Sequence, residues 1–286
     1  MKAHLSKSSE IKKILSLIKS GHKNIIAESL SDCFRGILYS KIISETEKDI
    51  FIITSSENIY SLYAEISGLK DEFEINAEIL FYPEDDSLMY GSLQASKEIS
   101  KARAKAYEEI FRKDRKVIIT DINALAEKIP SPDKVKKFFF TLKKDGKLKP
   151  EKIVEILAVN KYERVLKVEN VFEYSVRGSI IDIFSPDYEY PVRIELFGDN
   201  IESLRFFSLD TYSTTKHLDS VELLLFNPGN KFKGETGSII DYFAPYKTMV
   251  IIDDADVIKA EIIDKIKKIN ATAYNQNASF KSFVFL

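Results

Sequence analysis

Chemistry on a nucleotide phosphate needs a glycine cradle, a lysine for the β/γ oxygens and a hydroxyl for magnesium, and two stretches of this chain come near that set. The first, Glu28-Ser29-Leu30-Ser31-Asp32-Cys33-Phe34-Arg35-Gly36, precedes a helical pattern but has no glycine ahead of it and no Gly-Lys pair. Its two carboxylates would repel a triphosphate. The second, Gly229-Asn230-Lys231-Phe232-Lys233-Gly234-Glu235-Thr236, keeps both glycines and the threonine but sets Glu235 where the lysine must stand. One charge inversion beside a phosphate outweighs a correct glycine spacing, so neither stretch is expected to hold ATP. Val250-Ile251-Ile252-Asp253-Asp254 has the form of an apolar strand ending in acids, which holds Mg²⁺ in nucleotide hydrolases. Without a phosphate loop to serve, these acids read better as the cap of a buried strand and the start of the next helix.

Cys33 is the only cysteine, and His4, His22 and His217 are the only histidines; their spacing fits no metal motif, and no candidate nucleophile lies near a histidine in sequence. No catalytic group, metal or cofactor is expected in these residues. Lys134, Lys136, Lys137, Lys143, Lys144, Lys147, Lys149 and Lys152 crowd one stretch, offset nearby only by Asp133, Asp145 and Glu151. Such a patch could touch nucleic-acid phosphate. It lacks the interleaved aromatics of a stacking platform, however, and lysines also protect exposed strand edges, so a solvated edge is the preferred reading.

The elements that must carry these residues follow from periodicity. Ile11, Ile14, Leu15 and Ile18 mark an amphipathic helix that ends at Gly21. Short apolar runs at 24–27, 49–54, 79–82 and 117–120 alternate with helical patterns at 32–44, 56–67 and 96–112, which predicts a parallel α/β sheet. Pro130-Ser131-Pro132 breaks the pattern. Strands separated by turn residues follow (138–142, 171–184, 192–197, 201–207), with one helix near 150–157, as in a small antiparallel sheet. After Pro228-Gly229 a helix at 238–243, a strand at 249–252 and a helix at 256–269 restore the first texture. The fold expected is therefore α/β, with residues 1–132 as the first part of a parallel-sheet domain, 133–228 as an inserted α+β domain and 229–286 as the return. The apolar ending Phe283-Val284-Phe285-Leu286 suggests a piece of a longer protein.

Composition agrees with a folded domain protein: 286 residues, 44% hydrophobic and 30% charged, with 14 Tyr and 19 Phe. Lys and Arg number 42 against 44 Asp and Glu, a net charge of -2, so no overall positive field exists to hold DNA or anionic lipid. The lone cysteine points to a reducing, cytoplasmic setting. The first twenty residues, interrupted by Lys7, Glu10, Lys12 and Lys13, read as neither signal peptide nor membrane span, and no membrane partner is expected.

In Val192-Arg193-Ile194-Glu195-Leu196-Phe197, alternation sends Val192, Ile194 and Leu196 to one face and Arg193, Glu195 and Phe197 to the other. Counting on from the preceding strand, Val176, Ile180 and Phe184 share the apolar face, with Asp182 as its polar exception. Arg177, Ser179, Ile181 and Ile183 then point outward. Two arginines and a phenylalanine on one outer face have the composition of an interface hot spot, unless another part of the chain covers Phe197.

Tyr174-Ser175-Val176-Arg177-Gly178-Ser179-Ile180-Ile181-Asp182-Ile183-Phe184-Ser185-Pro186, continued by Pro191-Val192-Arg193-Ile194-Glu195-Leu196-Phe197-Gly198-Asp199 and Ile201-Glu202-Ser203-Leu204-Arg205, resembles the signature shared by the excision-repair protein UvrB and the bacterial transcription-repair coupling factors (Mfd). Phe81-Tyr82-Pro83-Glu84-Asp85-Asp86 through Tyr90, Arg103, and Val117-Ile118-Ile119-Thr120 to Ala124-Leu125 resemble further elements of the coupling factors. UvrB carries an intact phosphate loop after its first strand and a long Tyr-rich hairpin that grips DNA; the loop here is Ser29 to Arg35 and the segment after Tyr82 is short, so the coupling-factor family is the better match. The resemblance implies a degenerate helicase-like domain with an inserted UvrA-binding domain, whose UvrA-contacting positions match Arg177, Arg193 and Phe197. It also implies that the parent is an ATP-dependent translocase acting on RNA polymerase and DNA through downstream domains absent from these residues, with this face masked by a C-terminal domain. The function expected is recruitment of UvrA without ATPase chemistry. The alternatives are a UvrB-like damage-binding module or the DNA-binding domain of a nucleotide-dependent helicase.

Overall fold

The computed structural model describes residues 9–27, 32–85, 96–112, 115–228 and 236–275. Four parallel strands form the first sheet, in the order β14 (Thr248–Ile252), β1 (Asp49–Thr54), β3 (Lys116–Asp121), β2 (Glu78–Tyr82). β1 reads Asp-Ile-Phe-Ile-Ile-Thr and is buried along its whole length, as a strand covered on both faces must be. Period two then assigns its side chains. Ile50 and Ile52, with Val117 and Ile119 beside them, meet α1 (Ser9–Lys19), α2 (Asp32–Glu45) and α3 (Ile59–Gly68) through Ile11, Leu38, Ile43, Leu62 and Ile66. Phe51 and Ile53 face the opposite layer, where α4 (Lys97–Arg112) contributes Tyr107 and Ile110, and α5 (Ile122–Ala126) contributes Ala124. Asp121 caps α5, accepting from the backbone of Asn123 and Ala124 at 2.8 Å each. α8 (Ala255–Asn275) follows β14.

After the short β4 (Ile129–Pro130) and α6 (Pro132–Val135), the chain builds a second core. A six-stranded sheet runs in the order β11 (Thr214–His217), β10 (Asn200–Phe207), β9 (Val192–Phe197), β8 (Ile180–Phe184), β7 (Glu173–Arg177), β6 (Glu163–Arg164). It is antiparallel except for the β6–β7 pair. The buried side of this core takes Tyr174, Ile181, Ile183, Val192, Ile194 and Leu204, together with Ile153 and Leu157 of α7 (Pro150–Val159).

Several expectations are corrected. Residues 24–27 form no strand. β5 (Phe139–Lys143) pairs with β12 (Ser220–Leu224) in a separate ribbon rather than joining the large sheet. The helix expected over 238–243 is a single 3-10 turn, Ile239–Tyr242, opened by a Ser238/Asp241 capping box and ended at Phe243, where the backbone is extended. The stretch 171–184 holds two strands, because Gly178, at φ 60, starts a two-residue turn between them. That turn overturns the side assignment of β8: Ile181 and Ile183 are 1% and 0% exposed in the core, and Asp182 lies on the other face. Across a two-residue turn the partners are Arg177 with Ile180 and Val176 with Ile181. Counting by twos straight through it therefore exchanges the faces.

Candidate functional site

The second sheet turns toward solvent a face built in rows across its strands. One row runs Ser175, Asp182, Arg193 and Arg205 over β7 to β10; the next runs Arg177, Ile180, Glu195 and Ser203. A third begins with Phe197 opposite Asn200. Arg177, Arg193 and Phe197 are thus brought to one face, as alternation in β9 requires. They differ sharply in exposure. The Phe197 ring is 77% exposed at the β9–β10 turn, where Gly198 at φ 58 lets the chain reverse, so the described residues leave most of it open. Arg177 is about half exposed, whereas Arg193 keeps only 12% of its side chain open.

Asp182 explains the difference, and sequence reasoning missed it by placing it on the apolar face. Its carboxylate, 1% exposed, accepts from Arg193 Nε at 2.6 Å, Arg193 Nη2 at 2.8 Å and Arg177 Nη2 at 2.7 Å. Two guanidinium groups therefore share one buried carboxylate, leaving one unit of positive charge on the face. The hydrogen bonds from Arg193 to Asp182 hold the arginine above its ordinary pKa. Arg193 also lies over the ring of Phe207 at 4.4 Å, which fixes its plane. Beside it, Arg205 and Ser203 donate to Glu195 at 2.5 and 2.7 Å, and these hydrogen bonds lower the Glu195 carboxyl to about 2. Such a face can bind a partner that offers an acidic group and an apolar recess. The one hydroxyl held by a carboxylate among the residues of these rows, Ser203 on Glu195, faces a weak base, since that carboxyl is held so low.

The acids ending β14 are used internally. Asp253, 3% exposed, accepts from Tyr39 Oη and Thr54 Oγ1 at 2.8 Å each, with Arg35 at 3.4 Å. Asp254 accepts from the Val257 backbone at 3.2 Å, capping α8. At the adjoining end of β1, Glu261 accepts from Ser56 N at 3.2 Å, Ser56 Oγ at 2.5 Å and Asn123 Nδ2 at 2.9 Å. Past the carboxyl ends of β1 and β14, where open α/β sheets usually bind ligands, these acids are thus bonded to the chain's own side chains. Arg103, 2% exposed, donates to Glu127, to Tyr82 Oη at 2.8 Å and to Pro83 O at 3.3 Å, so it anchors the chain leaving β2. The stretches 28–31 and 229–235, which hold most of the two glycine-loop candidates, and the ending 283–286 lie outside the described residues. Among the described residues there is no cluster of His, Cys, Asp and Glu able to hold a metal, and no helix is long and apolar enough to cross a membrane.

The two cores meet at Arg112 of α4. It pairs with Glu108, donates to Glu222 O at 2.9 Å, approaches Asp187 at 3.8 Å, and faces the rings of Phe139 and Tyr188 at 5.9 and 6.0 Å. Burial, with the neighbouring Asp187 charge, raises Glu108 to about 7; burial raises Asp187 to about 6, because one arginine does not compensate two enclosed acids.

This β-sheet unit, whose solvent face carries an exposed aromatic ring beside two guanidinium groups, accompanies a parallel α/β unit, and residues 140–232 match the family described as the UvrB interaction domain. The wider chain is similar to the bacterial transcription-repair-coupling factors. It is 26% identical to that of Bacillus subtilis over 219 residues (77% of this chain, 18% of the relative), and 24% identical to that of Escherichia coli over 223 residues (78% and 19%). A shorter match, to the factor of Rickettsia typhi, reaches 30% over 146 residues (51% and 13%). The chain is accordingly similar to the coupling factors over less than a fifth of their length.

Proposed function

We propose that the face bearing Arg177, Arg193 and Phe197 docks the excision-repair protein UvrA, so that a longer protein containing this chain brings repair to stalled transcription. The partner's identity rests on the kinship with the UvrB interaction domain and the coupling factors. The surface rests on one observation, the open Phe197 ring beside guanidinium groups held in place by Asp182. On this reading residues 133–228 are an inserted docking domain between two parts, 1–132 and 229–286, of a degenerate helicase-like domain without ATPase chemistry. Contacts with RNA polymerase and DNA belong to the rest of the longer protein.

The test is a titration of UvrA with the chain and with Phe197→Ala. Truncating an exposed aromatic hot spot costs about 2 kcal/mol, roughly 30-fold in Kd. Absence of binding by the unaltered chain, or equal binding by the two, refutes the reading.

A further inference from the structure

The lysine-rich stretch, left open between a phosphate-binding patch and a solvated edge, is tied by one of its members to the face just described. Residues 145–148 run antiparallel beside the start of β10: Asp145 N donates to Ile201 O at 2.9 Å, Ile201 N to Gly146 O at 2.8 Å and Leu148 N to Asp199 O at 2.8 Å. The register is a bridge between Lys147 and Asn200, and Asn200 is in turn paired with Phe197. Partners in such a ladder point to the same side of the sheet. Leu196 and Ile201, paired with each other, are buried in the core with Leu148, so Phe197, Asn200 and Lys147 point together to the opposite side. With two steps of about 4.8 Å between neighbouring strands, the Lys147 and Phe197 Cα atoms lie about 10 Å apart.

We infer that Lys147 is a fourth member of the docking face, placed to meet a carboxylate on the partner surface beside the recess that takes the Phe197 ring. The inference rests on the docking reading above. Lys147 is exposed, and no carboxylate among the described residues forms an ion pair with it. Asp145, Asp199 and Asp219 are also exposed and lie within the segments that carry or pair with this turn, beside Lys143, Lys144, Lys147 and Lys149. Interspersed acids break up a continuous cationic track, which argues against a nucleic-acid backbone as the occupant and for a discrete acidic contact on a protein. The outer face then presents an apolar anchor flanked by the guanidinium groups of Arg177 and Arg193 on one side and the ammonium of Lys147 on the other. The matching partner surface is an apolar recess between acidic groups.

The experiment is a UvrA titration of the chain, Phe197→Ala, Lys147→Glu and Lys137→Glu at low and high salt, with a labelled DNA duplex as a second probe. Lys137 is an exposed lysine of the same stretch that lies outside this row. Reversing a rim charge should weaken UvrA binding by about tenfold at low salt, chiefly through slower association, and the loss should shrink toward 1 M salt, where the screening length falls to about 3 Å. Lys137→Glu should bind UvrA as the unaltered chain does. If Phe197→Ala loses affinity while Lys147→Glu keeps it, the role of Lys147 is overturned and the docking reading stands. Equal losses in Lys147→Glu and Lys137→Glu would reduce the effect to net charge and overturn the specific contact. Loss of DNA binding alone in Lys147→Glu would return the lysine to nucleic acid. Failure of the unaltered chain to bind UvrA removes both the docking reading and this extension of it.

Discussion

Replacing Arg193 with alanine should weaken the fold as well as the docking face, contrary to what alternation alone implies for a residue beside exposed Phe197. The substitution removes two of the three hydrogen bonds accepted by the Asp182 carboxylate and leaves that 1%-exposed charge with one bond, from half-exposed Arg177. Breaking a buried ion pair from one side costs about 3–5 kcal/mol, and the surviving arginine offsets part of that, so a loss of about 3 kcal/mol is expected. Ile194→Ala, which empties a core position of the same strand, should cost a similar 2–5 kcal/mol or so. Phe197→Ala, which opens no cavity, should fall within about 0.5 kcal/mol of the unaltered chain. Urea unfolding followed by circular dichroism separates them: with a slope of about 1–3 kcal/mol per molar urea, Arg193→Ala should unfold at least about 1 M earlier. Asp182→Asn combined with Arg193→Leu should recover much of the loss, since the two charges leave together. If Arg193→Ala unfolds with Phe197→Ala rather than with Ile194→Ala, the Asp182 network does not hold this sheet.

Two further outcomes follow from the remaining polar clusters. Glu108 titrates near 7 in the fold and in the ordinary carboxylate range when unfolded, so the native state holds a proton that the unfolded chain has released, and stability should fall as pH rises from about 4.5 to about 7. Glu108→Gln should remove most of that slope in melting temperature measured at pH 5.5 and 8; an unchanged slope would mean that Glu108 is not enclosed with Asp187. Mg-ATP should bind no tighter than millimolar, because neither glycine loop offers its lysine and Asp253 is already shared by Tyr39, Thr54 and Arg35; micromolar affinity by calorimetry would contradict this.

The parallel sheet was readable because its strands are continuous apolar runs, buried almost throughout in β1 and β3, a signal that survives without knowing the neighbours. β9 was equally readable: a strict alternation of Val192, Ile194 and Leu196 with Arg193, Glu195 and Phe197 has one solution once a core exists on either side. β8 was not, since Ile180-Ile181-Asp182-Ile183-Phe184 is apolar on both sides except at Asp182. Its facing depends on the length of the turn at Gly178 and on a charge partner in another strand. The pairing of Asp182 with Arg193 is a register fact, and register is absent from the pattern of any single strand. The placement of Lys147 is the same kind of fact, set by the bridge to Asn200 rather than by the lysine-rich composition around it.

The contrast between the two sheets bears on where partners can act. At the carboxyl end of the parallel sheet, Asp253 and Glu261 have their lone pairs taken by Tyr39, Thr54, Ser56 and Asn123, so an incoming phosphate would have to displace bonds already made inside the chain. On the second sheet, Asp182 faces two arginines whose combined donors exceed what one carboxylate can accept. The half-exposed Arg177 guanidinium keeps N–H groups that Asp182 does not use, held by a bond that a partner does not have to break. A carboxylate arriving there gains charge-assisted contacts from groups whose orientation is already fixed, which keeps low the ordering cost that weakens flexible charged contacts. Preorganisation by a buried acid thus favours the middle sheet over the parallel one for the docking proposed above.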